Sequence, residues 1–277
     1  MSNLKIKHIG KYIAAIILVG AAGCNADSSQ NIDKPDYQLS WSDEFNGAAG
    51  DLPDATKWAY DIGTGNNGWG NNELEYYTSR PQNISMDGEG NLVITAIKES
   101  YQGASYTSAR IKTKGLMEQR YGRFEARLKT PYGQGLWPAF WMLGNDSDEV
   151  SWPQCGEIDI MELRGQAPNV SLSTLHGPGF SGANAISGTN TLINSRYDNQ
   201  FHVFAVEWDE NKIDFYVDDY LFKRFEKSEV EAKGEWVYDH PFYLLLNVAV
   251  GGNFVGAPSQ LTPFPQKMTI DYVRVYN

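Results

Sequence analysis

The chain has 277 residues, 42% of them hydrophobic, and a formal net charge of −11. The length suits one large β domain, because sandwiches and barrels of about 200–250 residues fold as single units. The acidic balance excludes nucleic acid as the expected partner, since binding it requires clustered Lys and Arg, whereas a neutral ligand carries no such penalty.

The N-terminal segment has the order of features found in secretion signals. Three lysines precede an apolar run at 12–19, and small residues at 20–23 lead to Cys24. The apolar run is far shorter than the roughly 20 residues of a membrane-spanning helix. Small residues directly before a cysteine resemble a bacterial lipobox, in which the cysteine carries the lipid.

We therefore predict a lipoprotein-type signal peptide over residues 1–23, a polar flexible tether over 24–36 and one catalytic domain over 37–277. The protein is expected to be exported and held by lipidation of Cys24 at the bacterial cell surface or outer membrane, with no other membrane contact. In the alternative, ordinary cleavage near Ala22 leaves a secreted protein with Cys24 in a free tail. We expect a monomer.

Short strands and turns follow along the rest of the chain, with 27 glycines and no βαβ rhythm. Alternating or continuously apolar segments predict strands at 91–97, 121–129, 201–208, 213–217, 220–225, 242–250 and 268–276. Helix-like pieces are confined to Ala55–Tyr60 and Ser228–Lys233. This pattern predicts an all-β sandwich or barrel.

The core must form without disulfides, because Cys24 is assigned to the anchor and Cys155 is then unpaired. The chain has 8 Trp, 16 Tyr and 12 Phe, which supply the apolar area. Aromatic rings outside the clean strand patterns either fill the core or stack on the flat faces of sugar rings. They are Trp69, Tyr76, Tyr77, Trp137, Trp141 and Trp152.

One acidic strand is the most informative segment. In Gly156–Glu162, alternation places Glu157 and Asp159 on one face of a strand. Met161 interrupts the alternation, and a β-bulge of one extra residue returns Glu162 to the face of the other two acids.

Three adjacent carboxyl groups repel one another, so at least one keeps its proton to a higher pH while another is ionised. Glycoside hydrolysis needs this combination of a nucleophile or base with an acid. A metal site or an acidic solvent-facing strand explains the spacing of the acids equally well. No serine or histidine pattern indicates a different nucleophile.

An ordered set of motifs covers residues 37–277 and resembles glycoside hydrolase family 16, in its laminarinase branch. The motifs lie at Trp41–Gly47, Trp69–Thr78, Tyr106–Arg110, Trp137–Trp141, Glu157–Glu162, Leu175–Gly179 and Leu246–Gly252. The resemblance implies a concanavalin-like β-jelly roll of two antiparallel sheets with a concave substrate cleft. It also implies retention of the anomeric configuration.

The resemblance further implies the roles of individual residues. Glu157 is expected to be the nucleophile, Glu162 the acid/base, and Asp159 the residue that tunes Glu157. The sugar-binding residues are expected to be Asn72, Arg110, Trp137, Trp141, Trp152 and His176, with His176 beside the acid/base.

No cofactor is expected for the chemistry, but a structural calcium ion is expected away from the cleft, at Glu44, Gly90 and Asp271. The main hypothesis is an endo-acting hydrolase of internal β-1,3-glucosidic bonds in laminarin-type glucans. A non-cutting glucan-binding module is one alternative, although such proteins tend to lose the glutamates. Mixed-linkage β-1,3-1,4-glucan, agarose and carrageenan are the other candidate substrates.

Overall fold

A computed structural model describes Gln30 and residues 36–277 of the chain. The predicted signal peptide, nearly all of the tether and the lipidation site Cys24 therefore lie outside the described residues. Within the described part, none of the helices has the length and apolar character required to cross a membrane.

Seventeen strands occur in the described part of the chain. In order they are β1 (Leu39–Asp43), β2 (Ala59–Asp61), β3 (Glu75–Tyr77), β4 (Ile84–Met86), β5 (Leu92–Tyr101), β6 (Ala104–Ser108), β7 (Arg110–Lys112), β8 (Gly122–Lys129), β9 (Leu136–Gly144), β10 (Glu157–Leu163), β11 (Val170–His176), β12 (Ile186–Thr191), β13 (His202–Trp208), β14 (Lys212–Val217), β15 (Tyr220–Glu226), β16 (Phe242–Val250) and β17 (Gln266–Tyr276).

The strands form two sheets. The ten-stranded sheet has the order β15-β14-β13-β8-β17-β5-β6-β3, with β1 also pairing with β17 and β4 with β5. The seven-stranded sheet has the order β12-β11-β10-β9-β16-β7-β2. All pairs are antiparallel except β3 with β6. The predicted all-β sandwich of antiparallel sheets is confirmed.

One hydrophobic core lies between the sheets, because each sheet turns one row of alternating side chains inward. Phe124, Ala126 and Leu128 of β8 are fully buried, as their alternation predicts. All nine residues of β16 are buried, which confirms the continuous apolar run as a strand covered on both faces.

Helical structure is limited to short pieces in the described residues. The predicted helix near 228–233 is confirmed as α1 (Lys227–Glu231), and short turns occupy Gly68–Asn72 and Gly182–Asn184. The predicted helix at Ala55–Tyr60 is wrong: a turn at 55–57 leads directly into β2. Tertiary contacts decide this segment, because Trp58 is 1% exposed and its Nε1 donates to Asp43 Oδ2 at 2.8 Å.

Cys155 is buried and is the free cysteine of the described residues, as predicted. Burial raises the pKa of its thiol to about 11. The thiol therefore contributes packing directly before β10, not chemistry.

Candidate active site

The acidic residues of β10 meet on one face because the strand contains the predicted bulge. Asp159 pairs with Trp141 of β9, but Met161 pairs with Phe140, so Ile160 is the extra residue. Ile160 and Met161 both point into the core, at 1% and 0% exposure. Glu162 consequently returns to the outer face of the seven-stranded sheet, which we call the site face.

Glu157 begins β10 and accepts a hydrogen bond from Trp152 Nε1 at 2.8 Å. His176 lies opposite it on β11, with Nε2 at 3.7 Å from Glu157 Oε1. Burial and then the charge of Asp159 raise the pKa of Glu157 to about 8. Its ionised form therefore depends on whether Asp159 is neutral.

His176 lies closer to Asp159 than was expected. Its Nε2 is 3.2 Å from Asp159 Oδ2, and the carboxylates within 4.0 Å of the ring are those of Asp159 and Glu157. The prediction placed His176 near Glu162, whose pKa the charge of His176 also lowers. His176 of β11 is the cross-strand partner of Glu157 of β10, and this pairing holds the ring close to Glu157 and Asp159. Because Gly182 N–H donates to Nδ1 at 3.1 Å, we assign the proton of the neutral ring to Nε2, facing the carboxylates.

Glu162 is 8% exposed and accepts hydrogen bonds from Trp137 Nε1 at 2.9 Å and Thr174 Oγ1 at 3.5 Å. Burial and then the charge of Glu157 raise its pKa to about 7. A carboxyl group with that pKa is still largely protonated in mildly acidic solution, as a general acid requires.

Asp159 occupies the middle of the row and is 3% exposed. Burial and then the charge of Glu162 hold its pKa well above the usual range. A proton on the middle carboxyl group removes repulsion towards both neighbours at once. The contact between Asp159 and Glu157 raises the pKa of Glu157 and lowers that of Asp159, so the two carboxyl groups share one proton instead of both being ionised.

Ligand atoms of Glu157, Asp159 and His176 lie within 4.8 Å of one another, a spacing that could suit a metal ion. The hydrogen bonding of the imidazole opposes that reading. A metal ligand needs a lone pair on Nε2, whereas the bond from Gly182 to Nδ1 leaves the ring proton on Nε2.

Three tryptophans border the row of carboxylates. Trp137 and Trp141 project from β9 and are partly exposed, and Trp152 is 48% exposed. Arg110 stacks on Trp141, with Cζ at 4.9 Å from the ring, and its Nε lies 2.8 Å from Asp61 Oδ2. Asn72 is exposed and its amide donates to Asn253 Oδ1 at 3.0 Å.

The remaining aromatic candidates divide between core and surface. Tyr77 is fully buried and cannot stack on a sugar, so packing explains it. Trp69 is partly buried between Tyr77, at 5.6 Å between ring centroids, and Arg110, at 4.6 Å. Tyr76 packs against Tyr101.

Sequence reasoning missed several residues that support these side chains. Asn247 Oδ1 accepts from Trp141 Nε1 at 2.8 Å, and Phe254 packs on Trp137 at 4.9 Å. Both lie more than a hundred residues from their partners in sequence, so only the sheet order brings them together. The motif Leu246–Gly252 contained Asn247 but gave no indication of its partner.

The predicted calcium residues form a looser group. Asp43 of β1 pairs with Val273 of β17, which brings the chain at Glu44 close to Asp271. The carboxylates themselves bind arginines: Glu44 receives two hydrogen bonds from Arg274, and Asp271 pairs with Arg127. The side chains as arranged do not fit a calcium ion, which main-chain oxygens would have to bind.

Comparison with known proteins gives consistent results. The model of the family described as glycosyl hydrolases family 16 matches residues 70–274. A beta-glucanase from Rhodothermus marinus is 42% identical, covering 100% of this chain and 98% of the relative. A glucan endo-1,3-beta-glucosidase A1 from Niallia circulans is 38% identical over 86% of this chain and 37% of its own length.

Among solved structures, the laminarinase catalytic domain from Thermotoga maritima superposes with a TM-score of 0.82 at 47% identity. The match covers 87% of this chain and 98% of that domain. The predicted jelly-roll sandwich is thereby confirmed.

Proposed function

The chain belongs to glycosyl hydrolase family 16, and on that basis we propose that it is an endo-acting, retaining hydrolase of internal β-1,3-glucosidic bonds in laminarin-type glucans. The protein is a glycosidase that needs no cofactor for its chemistry. The observation that carries the proposal is the bulge of β10, which turns Glu157, Asp159 and Glu162 to one face beside three tryptophans.

The proposed reaction is a double displacement. Glu157 attacks the anomeric carbon while Glu162 protonates the glycosidic oxygen, so the bond to the leaving sugar breaks and a glycosyl ester forms. Water then attacks the same carbon, Glu162 accepts its proton and the ester bond to Glu157 breaks. Two inversions give net retention.

Asp159 and His176 support the nucleophile in this scheme. Asp159 shares a proton with Glu157, and His176 Nε2 lies 3.7 Å from Glu157 Oε1 and 3.2 Å from Asp159 Oδ2. The charge of His176 lowers the pKa of Glu157, and loss of the shared proton to Asp159 would leave Glu157 ionised before attack.

Sugar rings are proposed to bind along the site face. Trp137, Trp141 and Trp152 offer partly exposed rings beside the carboxylates, and flat apolar sugar faces stack on such rings. Asn72 and Arg110 are proposed to bind sugar hydroxyl groups at the same side as Trp141.

Laminarin is the proposed substrate, with mixed-linkage glucan as a secondary one. A neutral polymer agrees with the net charge of −11, whereas sulfated carrageenan meets an acidic surface. Agarose is disfavoured by the Asn71–Asn72 and His176–Pro178 motifs. The binding-module alternative is disfavoured because both glutamates are present.

The decisive test is reducing-sugar release from laminarin by the parent chain and by Glu157→Ser, with exposed Glu149→Ser as a matched control. We expect release by the parent and the control and none by Glu157→Ser. NMR of the first products should show the β-anomer before mutarotation. No release by the parent, or initial α-anomer, would contradict the proposal.

We also propose export with lipid attachment at Cys24, from the sequence pattern of residues 1–24. Expression in a bacterial host should give a membrane-associated protein that Cys24→Ser converts to a soluble exported form. An unprocessed cytoplasmic product would contradict it.

Calcium binding is proposed through main-chain oxygens near Glu44, Gly90 and Asp271. A chelator should then lower the melting temperature without altering the activity of the folded enzyme. An unchanged melting temperature with and without added calcium would exclude the site.

A further inference from the structure

A second pair of buried carboxyl groups lies outside the catalytic strand. Glu75, at the start of β3, is fully buried, and its Oε2 accepts from Val250 N–H at 2.6 Å. No N–H or O–H donor among the described residues reaches its Oε1. The acidic neighbour that acts on Glu75 is the carboxyl group of Glu73, two residues earlier in the chain.

A chain of hydrogen bonds with a fixed direction leads to Glu73 from the site face. The indole of Trp141 can only donate, and it donates to Asn247 Oδ1 at 2.8 Å. This orients the amide of Asn247, whose Nδ2 donates to Tyr77 OH at 3.2 Å. The Tyr77 hydroxyl proton is thereby directed to Glu73 Oε2, also at 3.2 Å.

Glu73 receives a further donor from the loop that carries the predicted sugar ligand Asn72. Asn71 Nδ2 donates to Glu73 Oε1 at 3.3 Å, and Asn71 O accepts from Asn253 N–H at 2.8 Å. Both oxygens of Glu73 therefore act as acceptors, which is the bonding expected of an ionised carboxylate.

The placement of the proton follows from this asymmetry. Two adjacent buried carboxyl groups cannot both be ionised without strong repulsion. Burial and then the charge of Glu73 hold the pKa of Glu75 well above its usual range. Burial also raises the pKa of Glu73, but the bond with Glu75 and the charge of Arg110 act against that rise.

We propose that Glu75 is a neutral carboxylic acid that donates its proton to Glu73 and so positions Trp141 and the Asn71–Asn72 segment for glucan binding. Glu75 is a positioning residue, because Glu73, Tyr77 and Asn247 separate it from the ring that would contact sugar. The part concerning sugar rests on the proposed function; the location of the proton does not.

Alkaline pH should disrupt this arrangement. Titratable or charged groups facing the pair are Glu73 itself, Tyr77 on β3 and Arg110 on β7, which pairs with Asp61 of β2. When Glu75 loses its proton at alkaline pH, two negative charges adjoin and the donor chain to Trp141 is disrupted. Binding of glucan should therefore weaken.

Glu75→Gln is the informative variant, because an amide can accept from Val250 N–H with its oxygen and donate to Glu73 with its nitrogen. Its KM for laminarin at pH 6 should equal that of the parent, and the alkaline rise in KM should disappear. Glu75→Ala and Glu73→Gln should each raise KM about tenfold with kcat nearly unchanged, since a buried charge-assisted hydrogen bond is lost. Exposed Glu89→Gln is the matched control and should behave as the parent.

Infrared difference spectra of the parent and Glu75→Gln at pH 7 locate the proton directly. The carbonyl stretch of an un-ionised carboxylic acid should be lost in the variant. An unchanged band, a KM of Glu75→Gln as high as that of Glu75→Ala, or an alkaline rise that persists in Glu75→Gln would overturn the proposal.

The experiments distinguish an error in the proposed function from an error in the assigned protonation of Glu75. If the parent does not cleave laminarin, the function is wrong, but the infrared measurement still decides the protonation of Glu75. Laminarin affinity measured by tryptophan fluorescence in a Glu157→Ser background tests positioning without turnover.

Discussion

Buried carboxylates on the outer faces of the two sheets differ in their basic partners. On the ten-stranded sheet, Arg123 binds Glu125 at 2.8 Å and Glu207 at 2.9 Å. Asp214, two strands away from Arg123, binds Arg224 at 2.6 Å. On the site face, the basic group within 4.0 Å of the β10 carboxylates in the described residues is the imidazole of His176.

The difference separates stabilising from functional charge. Cross-strand pairing places an arginine opposite an acid on the ten-stranded sheet, as with Glu207 and Arg123, so burial leaves few unpaired charges. The β10 row has no such partner and holds its carboxyl groups at raised pKa values. We infer that the first arrangement contributes stability and that the second reduces it in favour of reactivity.

The largest expected effect concerns the acid on the site face. Glu162→Gln should lower kcat/KM on laminarin by a factor on the order of 10²–10⁴, because general acid assistance is lost. On an aryl glycoside with a good leaving group, the loss in bond cleavage should be much smaller. Equal losses on both substrates would contradict the assigned role.

Removal of the central arginine tests the other face. Arg123→Met leaves Glu125 and Glu207 buried without their cation, and the free energy of unfolding should fall by about 3–5 kcal/mol. Where the protein is still folded, kcat should be unchanged. Denaturant titration measures the loss, and Arg127→Met, at the more exposed pair with Asp271, is the control with an expected loss below about 1 kcal/mol.

The pH dependence of stability should distinguish the faces further. The folded pKa of Glu162, about 7, exceeds its ordinary 4.5, so its contribution is fully present below about pH 4.5 and is lost as the pH rises through 7. This decline should amount to roughly 3 kcal/mol. Denaturant midpoints measured from pH 4 to 8 should fall in the parent and fall less in Glu162→Gln. Parallel curves for the two proteins would argue against a contribution of Glu162 to the pH dependence.

The smallest effect is a gain of stability. Asp159→Asn removes the cost of keeping a buried carboxyl group protonated at a pH where the unfolded chain would ionise it, and should raise the free energy of unfolding by about 1 kcal/mol near neutral pH, while kcat falls. Thermal unfolding and laminarin kinetics on the same preparation check both. A destabilised variant would mean that Asp159 is ionised in the folded protein and stabilised there by hydrogen bonds.

The sequence predicted the two faces unequally. Alternation in β10, with one residue too many before Glu162, was sufficient to predict the bulge, because strand phase is a local property. The link from Trp141 to Asn247 was not predictable, since it requires β9 and β16 to be neighbours. The wrong helix at Ala55–Tyr60 has the same cause: Trp58 gains more from the core and Asp43 than a short helix offers.

The carboxyl pair of Glu73 and Glu75 shows a further limit. The sequence shows Glu73 and Glu75 two residues apart. Which of the two acids keeps its proton depends on donors from Asn71, Tyr77 and Val250. Those donors come from separate parts of the chain.

The buried thiol of Cys155 can report local opening of the chain next to β10. With a pKa of about 11, about 0.1% of it is thiolate at pH 8, and buried sulfur is inaccessible to aromatic disulfide reagents until the chain opens locally. In a Cys24→Ser background, the rate of thiol labelling would therefore report how often the segment next to Glu157 opens. Slower labelling in the presence of oligosaccharide would give the extent to which a bound sugar closes it.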